Sequence, residues 1–128
     1  MNEFDLIQSY FNWEITDPSI ELGVGDDAAL FNLNPGHQLV ASTDTLVEGI
    51  HFFKDASPSD IAYKSLAVNL SDIAAMGAIA KCFTLSLTLP KLDKKWLKQF
   101  SSSLKESSKL FHVNLIGGDT TKGPLNIT

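Results

Sequence analysis

Cysteine is nearly absent: Cys82 is the single one in the chain, so an intrachain disulfide framework is excluded. Set in the run Cys82-Phe83-Thr84-Leu85, it reads as a small buried apolar group rather than a nucleophile. Positive charge is also in short supply. Ten Lys plus Arg face fifteen Asp plus Glu, for a formal charge of -5, which lacks the basic footprint of a nucleic-acid binder. The lysines are scattered except for Lys91, Lys94, Lys95 and Lys98, whose spacing reads as the wet side of a helix. No apolar run is long enough to span a bilayer, and Met1-Asn2-Glu3-Phe4-Asp5 offers neither a basic n-region nor an apolar h-region. A cytoplasmic chain with no membrane and no nucleic-acid partner is expected. Internal repeats, low-complexity linkers and a Gly-x-x-x-x-Gly-Lys-Ser/Thr phosphate loop are all missing.

What is present suits one folded domain over residues 1–128. Hydrophobic residues make up 44% of 128, enough to build a core and to argue against disorder. Apolar residues at Phe4, Ile7, Tyr10 and Phe11 predict a first helix over Glu3 to Phe11, which Thr16-Asp17-Pro18 then breaks. Ser57-Pro58-Ser59-Asp60 is a helix start, with a Ser cap, Pro at the first position and an acid in the first turn. That helix runs to about Met76, where Gly77 supplies the stop. Lys81 to Leu89 alternates strictly and predicts a half-buried antiparallel strand with Phe83, Leu85, Leu87 and Leu89 on one face. Asp93 to Phe111 is the second long helix, with Trp96, Leu97, Phe100, Leu104 and Phe111 inward and its serine runs outward. Short strands are expected at Gln38–Ala41, Ile50–Phe53, Val113–Ile116 and Leu125–Thr128. The class is α+β: a mostly antiparallel sheet with two long helices packed on one face.

Polar chemistry concentrates at four acidic places. Gly23-Val24-Gly25-Asp26-Asp27 could be a tight turn, yet adjacent carboxylates repel unless solvent, a cation or a donor compensates them. Ser42-Thr43-Asp44 interrupts two apolar runs, although such residues also form ordinary turns. Ser65, Asn69 and Asp72 make a polar stripe inside the apolar arc of the first long helix, and a carboxylate there must be hydrogen-bonded, paired or metal-bound. Asp119 follows Gly117-Gly118 in what reads as a Gly turn. Carboxylates and hydroxyls without a Cys or His cluster are the ligand set of a hard cation, Mg²⁺ before Zn²⁺. No nucleophile-base pair stands out, so metal-assisted in-line transfer is favoured over a covalent intermediate.

In order along the chain, Gly23–Ala29, Ser42–Phe52, Ala67–Ala78 and Ile116–Thr121 resemble the successive motifs of the thiamine-monophosphate kinase family. That family lies within the aminoimidazole-ribonucleotide-synthetase-like ATP-binding superfamily. The resemblance implies the N-terminal metal- and ATP-binding domain of that fold, with ATP as co-substrate, Mg²⁺, thiamine monophosphate as acceptor and a homodimer. It implies Asp27, Ser42, Thr43, Asp44, Asp72 and Asp119 as metal ligands, with no separate catalytic residue. Gly118 with Asp119 would meet the nucleotide, and His51, otherwise an interior strand histidine, would face the thiamine phosphate. Asp26 matches the motif without a defined role. Because the family's chains are more than twice as long, these residues alone are expected to be inactive. Alternatives are a non-catalytic Mg²⁺-binding and dimerisation module, and a sibling enzyme such as selenophosphate synthetase, which would require a reactive Cys near the N-terminus.

Overall fold

The computed structural model describes Met1–Thr128 as three helices and six strands. Helix α1 (Glu3–Tyr10) begins in a capping box: the Asn2 side chain accepts from the Asp5 N–H, and the Asp5 carboxylate accepts from the Asn2 N–H. That satisfies two donors the first turn would leave bare. The hairpin β1 (Ile20–Leu22) and β2 (Leu30–Phe31) forms a separate two-stranded sheet. Next come β3 (Leu46–Val47), α2 (Pro58–Ala75), β4 (Cys82–Leu89), α3 (Lys94–Leu110), β5 (Asn114–Lys122) and β6 (Asn126–Ile127).

The main sheet has the order β3-β6-β4-β5. Three of the four strand pairings in the molecule are antiparallel, but the longest, β4 with β5, is parallel. A parallel pair needs a crossover, and α3 supplies it. β3 and β4 both run antiparallel to β6 between them, so they share a direction and α2 connects them the same way. Both long helices thus lie on one face, packed on each other. The α+β class and the two-helix layer are as expected; the surprise is that β4 is parallel to its longest partner.

Beneath the helices the core gathers Leu85, Leu87 and Leu89 of β4, Ile61, Ala62 and Leu66 of α2, and Leu97, Phe100 and Leu104 of α3. Phe100 and Leu97 are 0% exposed, and burying each such side chain contributes about 1.5–3 kcal/mol. The other sheet face is open and polar, carrying Thr84, Ser86 and Thr88. The alternation of β4 therefore leaves no uncovered apolar surface on that face.

Both long helices close with the same hydrogen-bond pattern. After α2, Gly77 (φ 68°) donates to Ala74 and Ala78 to Ile73; after α3, His112 (φ 56°) donates to Lys109 and Val113 to Ser108. This is the Schellman arrangement, which places a left-handed residue just past the helix. Gly77 is the expected stop. His112 occupies the equivalent place with a full side chain.

Several local expectations need correction. Gln38–Ala41 is no strand, because the sheet offers a partner only from Leu46 onward, where β6 begins to pair. Ile50–Phe53 is a turn: Gly49 takes φ 81°, and the His51 and Gly49 amides bond Val47 and Phe52 carbonyls. In α3, Ser101, Ser107 and Ser108 are buried. Ser101 and Ser108 can be, because their hydroxyls donate to backbone carbonyls of Lys98 and Lys105 one turn back and so need no solvent. Phe111 is the α3 cap residue, 38% exposed, and packs at the surface on Tyr63 with ring centroids 6.3 Å apart.

Candidate metal and nucleotide site

Topology carries Asp44 and Asp72 toward one end of the main sheet, while Asp119 lies midway along β5. Asp44 precedes β3, and α2 runs back across the sheet so that Asp72, one turn from its end, lies at the end where β4 begins. The β1–β2 hairpin is tethered to that end as well. Asp17 pairs with Lys81 at 3.6 Å, just before β4, and the Thr16 N–H donates to Asn114 Oδ1 at 3.0 Å, at the start of β5. Two bonds from Ser19 hold the Asp17 carboxyl below its ordinary pKa, with Lys81 adding to them against the cost of burial. The hairpin's loop bears Asp26 and Asp27, both exposed. The Asp27 N–H donates to Asp26 Oδ1 at 2.8 Å, so one of the two carboxylates has a local partner.

Across the open face a polar row connects two motifs. The Thr45 and Thr128 hydroxyls are 2.9 Å apart, Thr128 exchanges both backbone bonds with Ser86, and Ser86 stands opposite Asp119. Four strands at ordinary spacing put Thr45 and Asp119 about 14 Å apart. One ion cannot bridge that distance. An elongated polyanion lying along the row could.

Asp119 lies within β5 and is exposed, since the strand continues through Gly117-Gly118 where a turn was expected. The glycines have different reasons to be there. A Cβ on Gly118 would lie 1.8 Å from the Leu85 carbonyl oxygen, whereas one on Gly117 would meet nothing within 4 Å. Gly118 is therefore required by the close approach of β4. Gly117 shares the open face with Asp119 and leaves bare space beside it.

Asp72 is not in a buried stripe. Ser65 is buried and Asn69 half-buried, and each donates to a carbonyl four residues back, Ile61 and Ser65, at 2.7 and 2.8 Å. The helix then leaves the core, and Asp72 is exposed. Its position is nonetheless unusual, because the last turn of α2 holds no basic residue. The negative end of the helix dipole and the carboxylate add rather than cancel.

His51 is exposed in the turn after β3, not interior to a strand. Its Nδ1 accepts from the Val47 N–H at 2.9 Å, which leaves Nε2 as an outward donor. Lys64 of α2 donates to the His51 carbonyl and ties the turn to the helix. Ser42 and Thr43 are exposed and Asp44 half-buried. No three acidic, His or Cys side chains are close enough to hold an ion together. Cys82 is half-buried, and burial pushes its thiol above the ordinary value, Lys81 opposing and Asp17 adding to the shift. It is a poor nucleophile, which gives the sibling chemistry no support.

Residues 25–128 match the family described as AIR synthase related protein, N-terminal domain. The chain belongs to that family. Within it, the chain is 53% identical over 129 residues to a thiamine-monophosphate kinase of Haemophilus influenzae, covering 100% of this chain and 39% of the relative. The thiamine-monophosphate kinase structure from Stenotrophomonas maltophilia K279a superposes with a TM-score of 0.82 at 42% identity, over 96% of this chain and 38% of that one. A structure of AaThiL complexed with AMPPCP and TMP matches at 0.62 and 29% identity, over 66% and 28%. The chain thus spans about two-fifths of the length of the curated relatives it matches.

Proposed function

We propose that this chain is the N-terminal metal- and ATP-binding part of an enzyme that phosphorylates thiamine monophosphate to thiamine diphosphate at the expense of ATP. The observation that carries the reading is the end-to-end 53% identity with a thiamine-monophosphate kinase, beside acidic motifs that are all exposed or half-buried. The donors there are all carboxylate and hydroxyl oxygens, which fits Mg²⁺. Asp27, Ser42, Thr43, Asp44, Asp72 and Asp119 would hold the metal, whose contribution when bound is to neutralise phosphate charge. His51 Nε2 would donate to the phosphate of thiamine monophosphate, with Lys64 fixing its turn. Gly117, with no side chain beside Asp119, would admit the nucleotide's phosphates to the strand.

The six ligands lie on exposed segments and no three carboxylates meet, so the 128 residues alone would bind Mg²⁺ weakly and transfer no phosphate. Phosphoryl transfer depends on positioning and charge neutralisation, and one open wall supplies little of either. A homodimer would be the working form in the cytoplasm. Support comes from the unpaired edges of the main sheet, from Leu39, 59% exposed in the stretch that found no strand partner, and from Leu33, 47% exposed ahead of it.

The test is a graft. This chain replaces the matching residues of the Haemophilus influenzae kinase, and the chimera is given Mg·ATP and thiamine monophosphate. Thiamine diphosphate should form, and Asp72→Asn or Asp119→Asn in the graft should lower kcat by about 10²-fold or more. A folded chimera without turnover, or one indifferent to both substitutions, would overturn the reading.

A further inference from the structure

β5 is an edge strand: β4 pairs with it on one side, and no strand pairs with it on the other. Part of its backbone therefore faces outward, where an edge needs cover or a partner. The N-terminal segment lies along that edge and is tied to it at two places. At the start of β5 the Thr16 N–H donates to Asn114 Oδ1 at 3.0 Å, and further along the strand the Thr120 N–H donates to Glu3 Oε1 at 3.5 Å. Between the two ties, Leu6 and Phe11, 5% and 4% exposed, set the segment into the core. α1 is thus a strap with fixed ends.

The Glu3 tie falls at a particular peptide. The Thr120 N–H belongs to the planar unit that joins Asp119 to Thr120, so the direction of that N–H sets the plane on the C-terminal side of Asp119. On the N-terminal side stand Gly117 and Gly118, the latter at φ 151°, and glycine constrains its own backbone least. Asp119 is exposed, so packing does not hold its side chain. From the open edge, Glu3 is the group that holds the peptide.

We infer that Glu3 is a positioning residue for Asp119: its side chain, delivered by the α1 strap, holds the Asp119–Thr120 peptide and so aims the Asp119 carboxylate across the open face of the sheet. The role needs an acceptor oxygen at the end of a long side chain, not a charge. Gln keeps that oxygen, and Ala removes it. The inference rests on the proposed reading of Asp119 as a metal ligand, since groups that orient a ligand govern metal affinity alongside the ligand itself. Glu3 touches neither the metal nor the nucleotide in this role.

The experiment uses the ¹⁵N-labelled chain and its Glu3→Ala and Glu3→Gln variants. Amide hydrogen exchange at Thr120 should quicken by about threefold or more in Glu3→Ala, the loss of one modest bond, and stay near the parent rate in Glu3→Gln. Titration with MgCl₂ then follows the Asp119 amide shift, whose midpoint should rise by about threefold in Glu3→Ala alone while the midpoint at Asp72 stays put. Unchanged Thr120 exchange in Glu3→Ala would overturn the tie, and faster exchange with an unmoved Asp119 midpoint would overturn the positioning role. An equal rise in Glu3→Gln would overturn it too, because the lost charge and not the lost bond would then be the cause. A parent with no Mg²⁺-dependent shift at Asp119 would overturn the metal reading and with it the role, while the Thr120 exchange tells whether the tie itself stands.

Discussion

Replacing Gly118 by alanine forces a methyl group to within 1.8 Å of the Leu85 carbonyl oxygen, 2.6 Å of its carbon and 2.9 Å of the Leu85 nitrogen. All three are backbone atoms, so no rotamer change relieves the overlap. The φ of 151° at this position adds strain for any L side chain. β4 and β5 must separate by more than 1 Å, roughly the gap between this approach and an ordinary contact. The ladder bonds nearest Gly118 are then lost. Two such bonds are worth about 1–3 kcal/mol net, and overpacking adds a similar amount, for a total of about 2–6 kcal/mol. Much of a typical domain's stability of 5–15 kcal/mol would go. Gly117→Ala is the control, since its methyl enters open space; its cost should stay within about 1 kcal/mol. Urea unfolding of the two variants beside the parent measures both. Equal midpoints for Gly118→Ala and the parent would refute the reasoning, because they would mean the strands do not approach as described.

Other perturbations read other parts of the molecule. His112→Gly should stabilise the chain by about 0.5–1 kcal/mol, relief of the left-handed strain being partly offset by glycine's greater chain entropy, and raise Tm by about 2–4 °C in calorimetry; a lower Tm would show the imidazole to be structural. Asp17→Asn should remove stability that the parent has above the ordinary carboxylate pKa of 3.8. The native value is depressed, so in the parent that contribution falls away as pH drops through it. Denaturant midpoints of parent and variant should therefore differ at pH 6 and converge once the pH falls below the depressed native value, and a gap that persists in acid would exclude the charge as its cause.

The two long helices and β4 are legible because each obeys one period throughout. α2 and α3 show Ser57 and Asp93 at their N-caps, and β4 alternates over its full length, so local pattern and packing agree. The short strands are not legible, because what makes them strands is a partner far away in sequence. β3 exists as Leu46–Val47 only where β6 pairs with it, and Gln38–Ala41, equally apolar, has nothing to pair with. Propensity cannot report that difference. Nor could it show that Gly117-Gly118 continues a strand, since the usual reading of paired glycines is a turn.

The same reasoning explains why the site residues could be located in the sequence but their surroundings could not. Helical spacing puts Ser65, Asn69 and Asp72 on one stripe, and it does so correctly; what it cannot give is where along α2 the core ends. Buried residues stop at Leu66, so the stripe passes from a buried serine, through a half-buried amide, to a carboxylate in solvent. That gradient has a chemical sense. A carboxylate buried without a partner would cost several kcal/mol or surrender its charge, whereas Asp72 lies exposed at the negative end of α2. The polar groups that must be buried satisfy themselves on the helix's own carbonyls, and the charge is left outside the core, where a ligand rather than the fold can neutralise it.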